Sequence, residues 1–281
     1  MLGGGGVTGV AWEIGILTGL SEHGIDLSEA DLVVGTSAGS VVGVDVRSGV
    51  PLAEFYQAQL APPASEIKAK LGLMVLLKYA RAMAFTKDPA VARARIGAMA
   101  LRAKTGPESG RRSVIESRIP IQAWPALPLK ITAVDAATGE FTVFDAASGV
   151  SLVDAVGASC AVPGVWPPVS ISGRRYIDGG MRSAANADLA AGCDQVVVIA
   201  PLTKGFGAIA RLSGQIRELT AQPAEVVVIE PDQAAVRVIG RNVLDPARRA
   251  AAARAGHAQA AAVAASVAAI WSANSAAADQ T

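Results

Sequence analysis

Hydrophobic positions alternate along the chain between short continuous runs and helical spacing. Asp31 to Ser40 sets Leu32, Val33 and Val34 before Gly-Thr-Ser-Ala-Gly-Ser, which predicts a short buried strand entering a sharp turn, and Val41, Val42 and Val44 continue as a helix. Trp12, Ile16 and Leu20 share one helical face, predicting a helix from about Gly9 to His23. Pro51 opens a helix carrying Leu52, Phe55, Tyr56 and Leu60, which Pro62 and Pro63 end. Glu66 to Lys104 is helical in pattern, with Leu71, Met74, Val75 and Leu77 interspersed with Lys68, Lys70, Lys78, Arg81 and Lys87. Gly106 to Gly110 is a loop and Arg111 to Arg118 a short helix.

The second half is richer in strands. Leu129 to Asp135 and Glu140 to Asp145 flank Ala-Ala-Thr-Gly as a hairpin, and Val169 to Asp178 reads as a second one. Helices are predicted from Ser151 to about Ser159 and from Asn186 to Gly192. Gln195 to Ala200 and Glu225 to Glu230 are β-branched runs of the kind buried in parallel sheets. Pro246 to Trp271 is an Ala-rich helix with Val263, Val267, Ile270 and Trp271 on the face expected to pack on the sheet. The expected architecture is one α/β domain over 1–281: a three-layer α/β/α sandwich with a mostly parallel central sheet, a helical cap insertion at about 51–118, and the Ala-rich helix at about 246–271.

Composition narrows the function classes. A 281-residue chain with 51% hydrophobic residues and a mean hydropathy of +0.38 supports a sizeable core. Its net charge of +1 argues against a nucleic-acid partner, which requires a strongly basic face. Cys160 and Cys193 match no metal spacing and read as small buried hydrophobes, so neither metal nor cofactor is expected. No signal-peptide pattern follows Met1 and no apolar run reaches the length of about 18 residues that spans a membrane, so the expected location is cytoplasmic. The basic, apolar stretch after Glu66 reads either as a cap whose charges face water or as a surface that adsorbs transiently to an anionic membrane, giving a peripheral location.

The chemistry concentrates at Gly35-x-Ser37-x-Gly39. Between strand and helix, this spacing holds a serine at the tip of a strained turn, and the helix N-terminus behind it favours a developing oxyanion. Ser37 is therefore the candidate nucleophile. The glycine run before the first helix admits three readings: a dinucleotide fingerprint at Gly4, Gly6 and Gly9, which would need a full strand before it; a tight packing turn; or an oxyanion hole in which the Gly5 and Gly6 N–H groups join that of Ala38. Asp178 ends a strand and enters the Gly179-Gly180 turn, where α/β folds place catalytic groups. Asp135 and Asp145 also end strands but read as turn residues. His23 and His257 are the only histidines and neither sits in a motif, so an Asp178 base is preferred to a triad ending in His257.

Gly-Gly-Gly-Val-Thr-Gly at 4–9, Gly-Thr-Ser-Ala-Gly at 35–39 and Asp-Gly-Gly at 178–180, with Ala158-Ser-Cys-Ala-Val-Pro-Gly-Val-Trp-Pro-Pro and the stretch 169–186 between them, resemble the patatin-like phospholipases over most of the chain. The resemblance implies a Ser-Asp dyad that hydrolyses acyl esters, usually of lipids: Ser37 and Asp178, with Gly5 and Gly6 in the oxyanion hole and Gly4, Gly9, Gly35, Gly39, Gly179 and Gly180 shaping the motifs. It also implies a lipid or other acyl ester as partner. A weakly active or inactive lipid-binding regulator of the same fold is the alternative. Two departures stand out. Thr8 replaces the family's usual basic residue, so a neutral ester is expected to be cleaved at least as well as a diacylphospholipid, with at most one of Arg174 and Arg175 turned towards the site to compensate. The strand before the glycines is also shorter than usual, which leaves a sheet edge expected to be incomplete.

Overall fold

A computed structural model describes residues 1–62, 69–205, 207 and 209–271 of the protein. Glu66 and Lys68, at the start of the long helical pattern, lie outside them, as does Pro63. In chain order the elements are α1 (Gly6–Glu22), β1 (Val33–Gly35), α2 (Ala38–Arg47), α3 (Leu52–Leu60), α4 (Leu73–Met83), α5 (Pro89–Leu101), α6 (Glu108–Glu116), β2 (Leu129–Asp135), β3 (Phe141–Phe144), α7 (Leu152–Ser159), β4 (Val169–Ile171), β5 (Arg174–Asp178), β6 (Gln195–Ile199), α8 (Leu212–Thr220), β7 (Glu225–Ile229), α9 (Gln233–Ile239) and α10 (Arg249–Trp271). The segment predicted as a helix after Asn186 is only a 3₁₀ turn, Ala187–Ala190.

The sheet is mixed, not mostly parallel. β1 runs parallel to β2, and β6 to β7, whereas β2–β3, β2–β5 and β4–β5 are antiparallel. The cause is local, because two of these antiparallel pairs are hairpins with connections too short for the crossover that parallel neighbours require. The two halves are joined through residues 1–3. Leu2 bridges Gly35 on one side and Ile199 on the other, its N–H donating to the Val34 carbonyl at 2.8 Å. The short first strand therefore lies between β1 and β6, in the middle of the sheet and not at an edge. At the amino ends of β1 and β6 a cleft of about 1010 Å³ opens, lined among others by Leu2, Asp31, Val33, Val197 and Trp271.

Side-chain alternation sends each strand to two cores. Ile131, Ala133, Val197 and Ile199 face a core shared with α1, α2, α7 and α10, while Val134 and Ile177 meet α4 and α5, and Val196 and Val198 meet α8. Helices thus cover both faces. α1 is apolar nearly all round and runs through the first core. Its partner α10 packs mainly on α1 and touches the sheet only marginally. The contact is close: a Cβ on Gly15 would lie 2.2 Å from the Ala253 carbonyl oxygen, and one on Gly256 2.2 Å from that of Trp12. The alanines of α10 permit this approach, a packing role for what reads in sequence as helix propensity alone. Between 51 and 118 the helices take separate places: α3 lies on α1 and α10, α5 on β2 and β5, α4 on α5, and α6 on α7. No helix among the described residues is long and apolar enough to cross a membrane.

Candidate active site

The register of β2 brings the two predicted chemical groups together. Ile131 pairs with both Gly35 and Phe144, and Ala133 with both Asp178 and Thr142, so β1 and β5 share the edge of β2 opposite β3. Their carboxyl ends meet there. Ser37 follows β1 with φ +52° and ψ −113°, a conformation disfavoured for any side-chain-bearing residue and costing of order 1–3 kcal/mol. The turn closes only because its flanks are glycines: a Cβ on Gly35 would lie 2.4 Å from the Gly39 carbonyl oxygen, and one on Gly39 2.1 Å from that of Leu2.

The surroundings hold Ser37 in that conformation. Its N–H donates to Ser159 Oγ at 2.8 Å, and its carbonyl accepts from Ser40 Oγ at 2.6 Å and from Cys160 Sγ at 3.3 Å. The end of α7 thus grips the backbone of the turn. The same segment holds the other arm, since the Asp178 N–H donates to the Ala161 carbonyl at 3.1 Å. Cys160 is buried, its thiol pushed up to about 11 by loss of water, and it acts here as a hydrogen-bond donor. Beneath both arms lies a polar knot of fully buried groups. Asn186 Nδ2 donates to Thr36 Oγ1 at 3.0 Å and to the Ser183 carbonyl at 2.9 Å, and Thr36 and Thr132 hydroxyls meet at 2.9 Å. Arg182 donates to Asn186 Oδ1 at 2.8 Å and fixes the amide orientation. This knot ties the residue before Ser37 to the turn after Asp178.

Asp178 is buried, 3% exposed, its carboxylate accepts from the Gly180 N–H at 2.7 Å, and the Ser37 side chain lies close enough to favour its charged form. Loss of water raises it to about 6, against the Ser37 side chain, the Gly180 N–H and the charge of Arg111, which favour the carboxylate. Arg111 sits on α6 with its guanidinium 4.1 Å over the Trp166 ring and its buried Nε without a hydrogen-bond partner among the described residues. Burial also lowers Arg111, to about 10. At neutral pH Asp178 is therefore mostly ionised.

The glycine loop lies against this pair. A Cβ on Gly4 would be 3.5 Å from Ser37 Cβ, and one on Gly9 3.4 Å from Ala38 Cβ. α1 begins at Gly6, three residues earlier than its spacing predicts, which puts the Gly5 and Gly6 N–H groups at a helix N-terminus. Among the described residues, the N–H groups of Gly5, Gly6 and Ala38 have no partner, whereas the Gly3 and Gly4 N–H groups are bonded to the Ile199 and Ala184 carbonyls. Gly3 N–H also reaches Glu13 Oε1 at 2.9 Å, a wholly buried acid whose pKa loss of water pushes well above the usual carboxylate range.

Other sequence candidates fall elsewhere. Asp135 accepts from the Ala137 and Thr138 N–H groups and pairs with Arg174 at 2.7 Å, and Asp145 caps a 3₁₀ turn. Arg174 also pairs with Glu140, and Arg175 bonds the Pro168 carbonyl and faces Glu108, so both are engaged away from the dyad. Thr8 is fully buried and its hydroxyl donates to the Val243 carbonyl at 3.2 Å, so it presents no surface to the site. His23 and His257 lie at the far end of α1, about 25 Å along the helix from the glycine loop at 1.5 Å per residue. His23 bonds the Gly19 carbonyl, and His257 bonds Glu22 and stacks on Tyr56. Among the described residues no cluster of His, Cys, Asp and Glu can hold a metal ion.

A family model described as Patatin-like phospholipase matches residues 1–191 of the 281. The chain belongs to the patatin-like phospholipase family. The matched range contains the candidate site described above, from the glycine loop to Asn186. The solved structures include a similar one, the crystal structure of VipD from Legionella pneumophila, at 11% identity and a TM-score of 0.45. That match covers 94% of this chain and 66% of VipD, so the patatin-like chain spans just under two thirds of the VipD chain. From sequence alone Ser159, Asn186 and Arg111 have no role at the site, and Cys160 reads only as a small buried hydrophobe. Ser159, Cys160 and Asn186 lie in the stretches that carry the family resemblance, whereas Arg111 has no local signal.

Proposed function

We propose that this patatin-like protein is a serine acyl hydrolase that cleaves lipid acyl esters with Ser37 as nucleophile and Asp178 as its base. The observation that carries the reading is the strained Ser37 at the end of β1, set beside the buried Asp178 carboxylate at the end of β5. Ser37 Oγ attacks the acyl carbonyl while its proton passes to Asp178. The oxyanion is received by the N–H groups of Gly5, Gly6 and Ala38, each worth about 3 to 4 kcal/mol if lost. Asp178 then returns the proton to the leaving alcohol, an acyl-Ser37 ester remains, and water activated by Asp178 releases the fatty acid. No histidine takes part.

A fluorophosphonate probe tests this directly. It is expected to label Ser37 stoichiometrically and to leave Ser37→Ala unmodified; an unlabelled wild type would favour the inactive lipid-binding alternative.

The pH profile follows from Asp178. The base works only when ionised, so kcat/KM on a soluble ester is expected to fall as pH drops through about 6. Arg111 favours the carboxylate, so Arg111→Gln is expected to move that acidic limb upward by about 1 unit. A limb unmoved by Arg111→Gln, or lying near pH 4, would assign the titration to another group.

A further inference from the structure

Half of the large hydrophobic side chains exposed among the described residues fall on α4 and the turn after it: Leu73 (71%), Met74 (67%), Leu76, Leu77 (53%) and the wholly exposed Phe85. α4 is amphipathic in an unusual sense. Its inner face is apolar and buried through Tyr79 and Met83, yet its outer face is apolar too, with Lys78 and Arg81 set among the leucines. From Lys70 to Lys87 there are four basic residues and no acidic one. A patch of this kind in water has no return for its exposure, and a positively charged apolar surface fits a layer with anionic head groups above hydrocarbon.

The patch is held firmly and lies over the site. Arg95 donates to the Ala84 carbonyl at 2.9 Å, closing the end of α4, and Phe85 follows at φ +59°, a strained position that turns its ring outward. On the inner face Tyr79 donates to the Pro163 carbonyl at 2.7 Å, and Val75 packs on Gly164. Pro163 is two residues beyond Ala161, whose carbonyl holds the Asp178 N–H. We infer that α4 and Phe85 form a docking face for an anionic lipid bilayer, with Leu73, Met74, Leu77 and Phe85 entering the interface and Lys70, Lys78, Arg81 and Lys87 meeting its head groups. Docking there sets the lipid surface beside the Ser37 turn.

The inference concerns binding, not hydrolysis, and its test uses the Ser37→Ala chain so that no lipid is consumed. Co-sedimentation is measured with vesicles of phosphatidylcholine alone and of equimolar phosphatidylcholine and phosphatidylglycerol. The expected result is binding at least about tenfold tighter to the anionic vesicles, weakened by added salt. Phe85→Asp and Leu77→Asp should each abolish it, while Lys78→Gln with Arg81→Gln removes the preference for the anionic vesicles. In the active chain, the same substitutions should leave kcat/KM on a soluble p-nitrophenyl ester within about twofold, which shows that the fold and dyad are intact and separates this result from failure of the proposed hydrolase. Equal binding by Phe85→Asp and the parent, no binding to anionic vesicles at low salt, or a dimer in solution that Leu77→Asp dissociates would overturn the inference, the last by assigning the face to a second copy of the chain.

Discussion

Ser37→Ala and Asp178→Asn are each expected to lower kcat/KM for a p-nitrophenyl ester by roughly three to six orders of magnitude, the range for removing a member of a coupled nucleophile and base. His23→Ala and His257→Ala are expected to keep most of the activity, since both rings are bonded at the opposite end of α1. The two inactive variants should differ in stability. Asp178 is raised from 3.8 to about 6 in the fold, so the folded state holds its proton more tightly than the unfolded chain. Stability from this group is full below pH about 4 and is lost as pH rises to about 6, which amounts to roughly 3 kcal/mol at neutral pH. Asp178→Asn removes that cost while keeping an oxygen for the Gly180 N–H. It should therefore melt higher than the parent at pH 7 and no higher at pH 4. A melting temperature lowered by several degrees at pH 7, with activity retained, would make Asp178 a structural residue.

Gly39→Ala should destroy the site by a different route. The added carbon would lie 2.1 Å from the Leu2 carbonyl oxygen and 2.3 Å from the Leu2 carbonyl carbon, both backbone atoms without rotational freedom. To make room, the turn would have to leave the strand position of Leu2 and lengthen the bond from the Gly39 N–H to the Gly3 carbonyl, now 2.9 Å. Overpacking of this kind costs about 3 kcal/mol or more, or a fall in Tm of roughly 6–12 °C for a chain of this size. Activity on the soluble ester should fall with it, because the glycine loop and the Ser37 turn are positioned through the same contact. Gly214→Ala is the control: its Cβ meets nothing within 4 Å in the interior of α8, and helix propensity favours it by up to about 1 kcal/mol. Equal Tm values for the two variants would show that the close approach at Gly39 is relaxed in solution.

Much of this site is legible in the chain because its chemistry depends on local backbone geometry. Gly35 and Gly39 flank Ser37 at the spacing a strand-to-helix turn requires, and Asp178 ends a strand before two glycines, so the residues announce their conformations without reference to partners. The periodic elements are legible for the same reason: α1, α2, β2 and β6 bury one face or all faces, and burial leaves its period in the sequence. The support of the site is different. Asn186, Thr36 and Thr132 are common turn and strand residues, and only their convergence from positions far apart in sequence makes them a buried knot.

What the amino-acid sequence determined by itself was therefore most of the elements, though not α8 or α9, and the candidates Ser37 and Asp178 with the loop beside them, each written in short-range patterns of glycine, β-branched and apolar positions. The tertiary structure decided how strands pair and which side chains are free. Sheet direction depends on which edges meet, and the antiparallel hairpins made a mixed sheet where buried β-branched runs had suggested a parallel one. The place of the short first strand, between β1 and β6, is a matter of pairing partners that Leu2 alone does not encode. Charge availability is likewise a long-range property: Thr8, Arg174 and Arg175 stand near the motifs in sequence but spend their polar groups on Val243, Asp135, Glu140 and Pro168, while Arg111, far from both motifs along the chain, places its charge where it bears on Asp178. Burial and pairing come from surfaces that only the folded chain brings together.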